Sequence, residues 1–247
     1  MCFSTNHWWK EIDMTNRRLI LGSQSAQRLR LLESIASQGT VTVLPPTSAD
    51  ELGFQGLQTT VEIEERLKLI VQQKTEDVCG QLNQAAPSLN TAIASHTSIP
   101  ADTVVCADTV VCADTVVCAD TVVVCTDSRS RQVVLGKPPV DQWQDTVRNW
   151  FRTYYSDQSH EVWTGFQITV ADHTEFQIVK ATVEFPFITD DWIDWYLSTE
   201  EPQGKAGGYG IQGHAAAFVK SIKGSLTTII GLPVWELRQA LIKHNCL

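Results

Sequence analysis

Four places along the chain carry residue types that can handle an anion. In Leu21-Gly22-Ser23-Gln24-Ser25-Ala26-Gln27-Arg28 a short apolar run ends in a small-residue turn, with hydroxyls and an arginine just beyond it. A strand, a polar turn and a helix start leave backbone amides without intrahelical partners, and such amides attract anions. An aspartate recurs in repeated Ala-Asp-Thr-Val-Val-Cys, and a carboxylate can serve as a proton acceptor or a metal ligand. Lys137 stands between Gly136 and Pro138, and Lys205 lies in a glycine-rich turn that ends at Gly213. Each is weak alone, because a lysine between Gly and Pro is commonly a solvated turn residue and a glycine turn is commonly only a turn.

The elements that must position these residues can be read from periodicity. Arg18–Ser23 reads as a short buried strand. Ser25 can cap the helix that follows, with Leu29, Leu32, Ile35 and Ala36 on its apolar face and Gly39 as its stop. Residues 41–44 form a second strand. A helix over Val61–Val78 carries a stripe of Ile63, Leu67, Ile70, Val71 and Val78, and Lys74 falls on that stripe. On spacing alone Lys74 reads as a lysine whose stem packs while its ammonium reaches water; the sharper reading delivers the ammonium inward to phosphate. Residues 80–100 read as a polar connector. Ala101–Cys118 is three copies of the hexapeptide, and Ala119–Val124 is a fourth, near copy. An even period keeps every aspartate on one face of an extended chain. Fully extended, residues 101–124 would run about 80 Å, against the five or six residues of an ordinary strand. The repeat therefore reads as a duplicated strand with its surplus looped out or added to an edge, and residues 101–118 as the insertion.

Downstream, residues 141–157 read as an amphipathic helix with Trp143, Val147, Trp150, Phe151 and Tyr154 on one face. Glu161–Val170 and Phe176–Phe187 read as an antiparallel pair, Trp192, Ile193, Tyr196 and Leu197 mark a short helix, Ala216–Ile222 and Leu226–Ile230 read as strands, and Pro233 as the start of a last helix. Strands and helices mix without strict alternation, so the expected fold is α/β with a mixed central sheet flanked by helices. Residues 1–16 read as an extension ahead of one domain over residues 17–247.

The net charge of −9, with no basic cluster, argues against a nucleic-acid partner. No apolar run reaches the roughly 20 residues that cross a bilayer, and the first residues lack a secretory pattern; the expectation is a cytoplasmic protein without a membrane partner. The seven cysteines are odd in number and four lie in or beside the repeat, which points to reduced thiols rather than a zinc site or disulfides.

Six motifs in order resemble the Maf family of nucleotide pyrophosphatases: the Ser23–Arg28 turn, Ala-Asp-Thr-Val-Val, Leu135-Gly136-Lys137-Pro138, His160–Gly165, Glu201–Gly213, and Gly224-Ser225 with Gly231-Leu232-Pro233. The resemblance spans about Leu19 to Leu241. It implies two lobes around a nucleotide-binding cleft, of the kind shared with inosine triphosphatases. It also implies cleavage of a nucleoside triphosphate between its α- and β-phosphates, a divalent metal such as Mg²⁺ or Mn²⁺, and a homodimer. It reverses the reading of Lys74, since the family places a lysine near the end of this helix. By the same resemblance Arg28, Lys74 and Lys137 engage the triphosphate and Ser23 contributes a hydroxyl. Glu51 corresponds to a carboxylate that contacts metal, and a solvated loop remains the equal alternative for Asp50-Glu51.

The family's general base is the aspartate of Ala-Asp-Thr, which also ligands metal. Asp102 follows Ser98-Ile99-Pro100, a poor strand, whereas Asp120 has the apolar flanks Val116–Cys118 and Val122–Val124. Asp120 is the expected base, with Asp114 in reserve. Thr121 and Gln212 match the subgroup similar to dTTP/UTP pyrophosphatases, and a third specificity position, usually Arg, is Gln27 here. The alternatives are a pyrophosphatase for other modified nucleotides, such as methylated guanine triphosphates, or an inactive nucleotide-binding protein in which the repeat has displaced the base. His160 reads as structural, and Tyr209 as either pocket lining or turn packing.

Overall fold

Strand β1 (Leu19–Leu21) is apolar at every position, which suits a strand covered on both faces. The computed structural model that contains it describes residues 19–36, 41–47, 52–94, 115–171 and 173–247, with the backbone alone over residues 85–94. Helix α1 (Ala26–Glu33) begins where the Ser25 hydroxyl accepts a hydrogen bond from the Arg28 amide. Leu32 is fully buried, and Leu29, Ile35 and Ala36 pack against its cluster. The helix closes at Ser34, whose amide donates to the Arg30 carbonyl at 3.2 Å, ahead of the expected stop; Gly39 lies outside the described residues.

β2 (Val41–Val43) lies parallel to β1. Helix α2 (Thr60–Ala94) buries Ile63, Leu67, Ile70, Val71 and Val78, each at 2% exposure or less, as the stripe requires. The expected connector from residue 80 is instead helical as far as Ala94. After Gly80 the run is rich in Gln, Leu and Ala, which favour helix despite their polarity.

β3 (Thr115–Thr126) takes up the end of the third repeat copy and all of the fourth. It is the centre of a mixed sheet of order β2-β1-β3-β5-β6-β7, in which β4 (Gln132–Leu135) also pairs with β3. β5 (Ser159–Val170), β6 (His173–Glu184) and β7 (Ser221–Lys223) are antiparallel neighbours. β5 covers one edge of β3 from Thr115 to Val124. The other edge is shared: β1 pairs with Thr115–Val117 and β4 with Val123–Thr126. Among the described residues no strand pairs with Cys118–Val122 on that edge, and the sheet is open there. The α/β mixed sheet expected from the sequence is the one found.

Side chains alternate across β3. Val116, Cys118, Val122 and Val124 join clusters with α2, while Val117 and Ala119 pack with Leu32 of α1 and with Leu237 and Leu241. Burying each such aliphatic side chain contributes about 1.5–3 kcal/mol. Period 2 then places Asp120 on the α2 face and Thr121 on the opposite one.

Helix α3 (Trp143–Trp150) continues into one π-helical turn, Phe151–Tyr155, closed by the Ser156 amide donating to the Phe151 carbonyl at 2.9 Å. The wider turn keeps residues four apart in line, so Trp143, Val147, Phe151 and Tyr155 are the buried set. Tyr155, and not Tyr154, is fully buried. Beyond α4 (Asp190–Ser198) two expected strands are absent as such. His214–Phe218 is a 3-10 turn that buries Ala215 and Phe218, three apart as that helix requires, and only Ser221–Lys223 joins the sheet. The β-branched run Leu226–Ile230 is helix α5, started at Ser225 and stopped by Gly231 at φ 125°. Here tertiary packing of Thr228 and Ile229 overrides strand propensity. Helix α6 (Val234–Lys243) follows, with Pro233 as its N-cap.

Candidate active site

The open edge of β3 faces a cleft of about 850 Å³. Two close approaches at glycines bring its groups together. A Cβ on Gly22 would stand 2.3 Å from the Cys118 sulfur, so β1 could not abut β3 and end beside Asp120. Gly165 is the register partner of Asp120 on β5, and a Cβ there would meet Leu67 Cγ at 3.0 Å. Its absence lets α2 lie against the sheet. Lys74, about two turns beyond Leu67, then reaches Asp120, with Nζ 2.7 Å from Oδ1. The two side chains are 14% and 13% exposed, so the pair is shielded but open to a ligand.

Arg28, in the first turn of α1, is held at three points. Nε donates to the Gly231 carbonyl at 2.9 Å, Nη1 to Ser23 Oγ at 3.2 Å, and Nη2 to Thr121 Oγ1 at 3.2 Å. Guanidinium has five N–H donors, so two are left for the cleft. Lys137 is exposed at the end of β4, where the Gly207 amide donates to the Gly136 carbonyl at 2.9 Å and ties the glycine turn to it. Gln27 and Gln212 are both exposed in the cleft lining. The fold thus brings Ser23, Gln27, Arg28 and Lys74 to one cleft with Asp120, Thr121, Lys137 and Gln212. Glu51 and Asp114 lie outside the described residues. A second chamber of about 470 Å³ shares Asp120, Thr121, Lys137 and Ala206 with the first and is lined by Leu52, the residue after Glu51.

Sequence reasoning missed two lining residues. Arg30 lies three residues beyond Gln27 on α1, on the same side of the helix, and that spacing was the available signal. Glu201 accepts from the His214 amide at 2.6 Å, from His214 Nδ1 at 2.8 Å and from the Tyr196 hydroxyl at 3.3 Å. Burial pushes its carboxyl pKa up, but the His214 bonds outweigh that and hold it below the usual range. It packs where a Cβ on Gly213 would fall 2.1 Å from its Oε2, and so shapes the turn that bears Gln212. No local pattern announces a contact twelve residues apart.

Arg28, Arg30, Lys74, Lys137 and Lys205 therefore face the carboxylates of Asp120 and Glu201. In a chain of net charge −9 this cationic surplus is a local construction suited to a polyanion. Among the described residues there is no cluster of three or more His, Cys, Asp or Glu that could hold a metal by itself. Nor is any described helix long and apolar enough to cross a membrane.

His160 lies outside the cleft lining, buried with its Nε2 2.8 Å from the Tyr209 hydroxyl. Tyr209 does both things expected of it, lining the cleft and packing among Tyr155, His160 and Phe185. Burial pushes the His160 imidazolium down to about 3 from the ordinary 6.5. The unfolded chain then binds a proton that the folded one refuses, so stability is full above pH 6.5 and declines as the pH falls toward 3. Urea midpoints measured at about pH 7.5 and 5 should converge in His160→Gln relative to wild type. An unchanged pH slope would show that another group carries the loss.

Among curated proteins the chain is similar to two named dTTP/UTP pyrophosphatase. That of Pseudoalteromonas atlantica is 41% identical over 117 residues, 46% of this chain and 59% of that protein. That of Shewanella oneidensis is 40% identical over 108 residues, 44% of this chain and 54% of that protein. The matches therefore span a little over half the length of these curated relatives. A family model described as Maf-like protein matches residues 18–244, and on that span the chain belongs to the Maf family.

Proposed function

We propose that the protein hydrolyses dTTP, UTP or related modified nucleotides to the monophosphate and pyrophosphate. The observation that carries this reading is the Lys74–Asp120 pair, set at the open edge of β3 in a cleft whose other charged side chains are mainly cations. Asp120 accepts a proton from the water that attacks the α-phosphorus. The bond from that phosphorus to the bridging oxygen breaks, and its electron pair leaves with pyrophosphate. Arg28 grips the triphosphate, and Lys74 and Lys137 neutralise the charge that builds on the leaving group, where fixed cations act most strongly. Ser23 adds a hydroxyl, and the Gln212 amide can both donate to and accept from a pyrimidine edge.

A divalent cation fits this donor set. Mg²⁺ is commonly held by one or two carboxylates together with substrate phosphates; Asp120 supplies one, and the family resemblance alone offers Glu51 as a second. When bound it would screen the triphosphate charge. The cytoplasmic setting rests on the odd cysteine count and on four of the seven lying in or beside the repeat, which fit reduced thiols. The homodimer rests on the family resemblance alone.

The test is pyrophosphate release from a panel of nucleoside triphosphates with Mg²⁺ or Mn²⁺. Stoichiometric monophosphate and pyrophosphate from dTTP or UTP is the expected result. A protein that binds these nucleotides and turns over none of the panel is a nucleotide-binding protein, and the hydrolase reading then fails.

A further inference from the structure

The hydroxyls behind Arg28 form a closed hydrogen-bonded ring whose direction can be assigned. Thr164, on β5, is fully buried and is the register partner of Thr121. Its hydroxyl donates to the Thr228 carbonyl at 2.8 Å, since a carbonyl can only accept. The single Thr164 proton is thereby used, so the 2.9 Å contact between Thr121 Oγ1 and Thr164 Oγ1 is donated by Thr121. Thr121 in turn accepts from Arg28 Nη2. The ring closes through α5: the Gly231 amide donates to the Thr228 carbonyl at 3.1 Å, and the Gly231 carbonyl accepts from Arg28 Nε at 2.9 Å.

We infer that Thr164 is a positioning residue for nucleotide binding, which fixes the Thr121 proton inward and so holds the Arg28 guanidinium aimed into the cleft. Thr164 does not line the cleft. Without its hydroxyl, the Thr121 proton has no fixed acceptor. The Thr121 oxygen is then no longer held in register with Arg28 Nη2, and one of three anchors is loosened. The consequence for the nucleotide rests on the hydrolase reading above.

The test is Thr164→Val, nearly isosteric, beside Thr164→Ser, which keeps the hydroxyl. In Thr164→Val the Thr228 carbonyl retains the Gly231 amide, so the variant is expected to fold. Steady-state kinetics with UTP should give a KM raised about tenfold, about 1.4 kcal/mol, with kcat within about threefold, and Thr164→Ser should restore the KM. An arm that holds the triphosphate equally in ground and transition states has this signature. A folded Thr164→Val with wild-type KM, or one that loses only thermal stability or kcat, overturns the inference. Titration calorimetry with inorganic pyrophosphate separates the two readings. Should wild type release no pyrophosphate, the hydrolase reading fails, while weaker pyrophosphate binding by Thr164→Val alone still supports the ring. Equal binding by all three proteins, or binding by none, overturns it.

Discussion

Asp120→Asn is expected to lower kcat for pyrophosphate release by about 10²–10⁴-fold, the usual contribution of a positioned base, with nucleotide affinity within a few fold of wild type. Asparagine has the same shape, and its carbonyl oxygen can accept the hydrogen bond that Asp120 Oδ1 now takes from Lys74. The cleft therefore keeps its form while the proton acceptor is removed. A pyrophosphate-coupled assay gives kcat, and calorimetry with a non-hydrolysable UTP analogue gives affinity. A variant that turns over at the wild-type rate would take the base role away from Asp120. One that no longer binds the analogue would mean that the carboxylate charge serves chiefly to hold the metal and its nucleotide.

The second large effect is on stability. Gly207 adopts φ 68°, and a Cβ there would lie 2.5 Å from the Tyr155 hydroxyl and 2.6 Å from Val123 Cγ2. Its amide donates to the Gly136 carbonyl, and its carbonyl accepts from the Tyr155 hydroxyl at 2.7 Å. Neither neighbour can withdraw, because Val123 lies in β3 and Tyr155 closes the π-helical turn. Gly207→Ala combines the left-handed backbone, about 1 kcal/mol or more, with overpacking of about 1–3 kcal/mol. A total of about 3 kcal/mol would lower the melting midpoint by about 6–12 °C for a domain of this size. Gly204 is the control: it has φ 70° but nothing within 4 Å of its Cβ position. Gly204→Ala should cost only about 1 kcal/mol. Equal melting shifts in the two variants, read by calorimetric scanning, would rule out the close-packing account.

What could be read in advance follows from how local each signal was. Asp102 was separable from the later copies because Ser98-Ile99-Pro100 lies next to it in the chain, whereas Asp114 has apolar flanks like those of Asp120 and stayed in reserve. The α2 stripe was legible for the same reason, at fixed helical spacing. Lys74 was not: spacing on one helix cannot say that Gly165, on a distant strand, lets that helix approach an aspartate. Glu201 and the Thr164 ring were likewise invisible, since their partners come from other elements. The strand reading of Leu226–Ile230 failed because five β-branched and aliphatic residues favour strand on their own. Only the cap at Ser225, the stop at Gly231 and burial of Thr228 and Ile229 make them helix.

The two-copy composition of β3 has a consequence for how the chain finds its register. Thr109–Val117 repeats the first nine residues of β3, Thr115–Val123, position for position. A slip by one hexapeptide would thus change only the last three places, putting Cys118, Ala119 and Asp120 where Val124, Cys125 and Thr126 now stand. The side-chain cost is confined to the buried places of Val124 and Cys125, and about doubling the β3–β4 turn adds only about 0.6 kcal/mol of closure entropy. The two alignments are therefore near-degenerate, and the slipped one carries Asp114 to the position of Asp120. Any residual turnover of Asp120→Asn should then come from slipped molecules and vanish when Asp114→Asn is added. Refolding of the wild type should show two kinetic phases, which merge into one when the first two hexapeptide copies, residues 101–112, are deleted together.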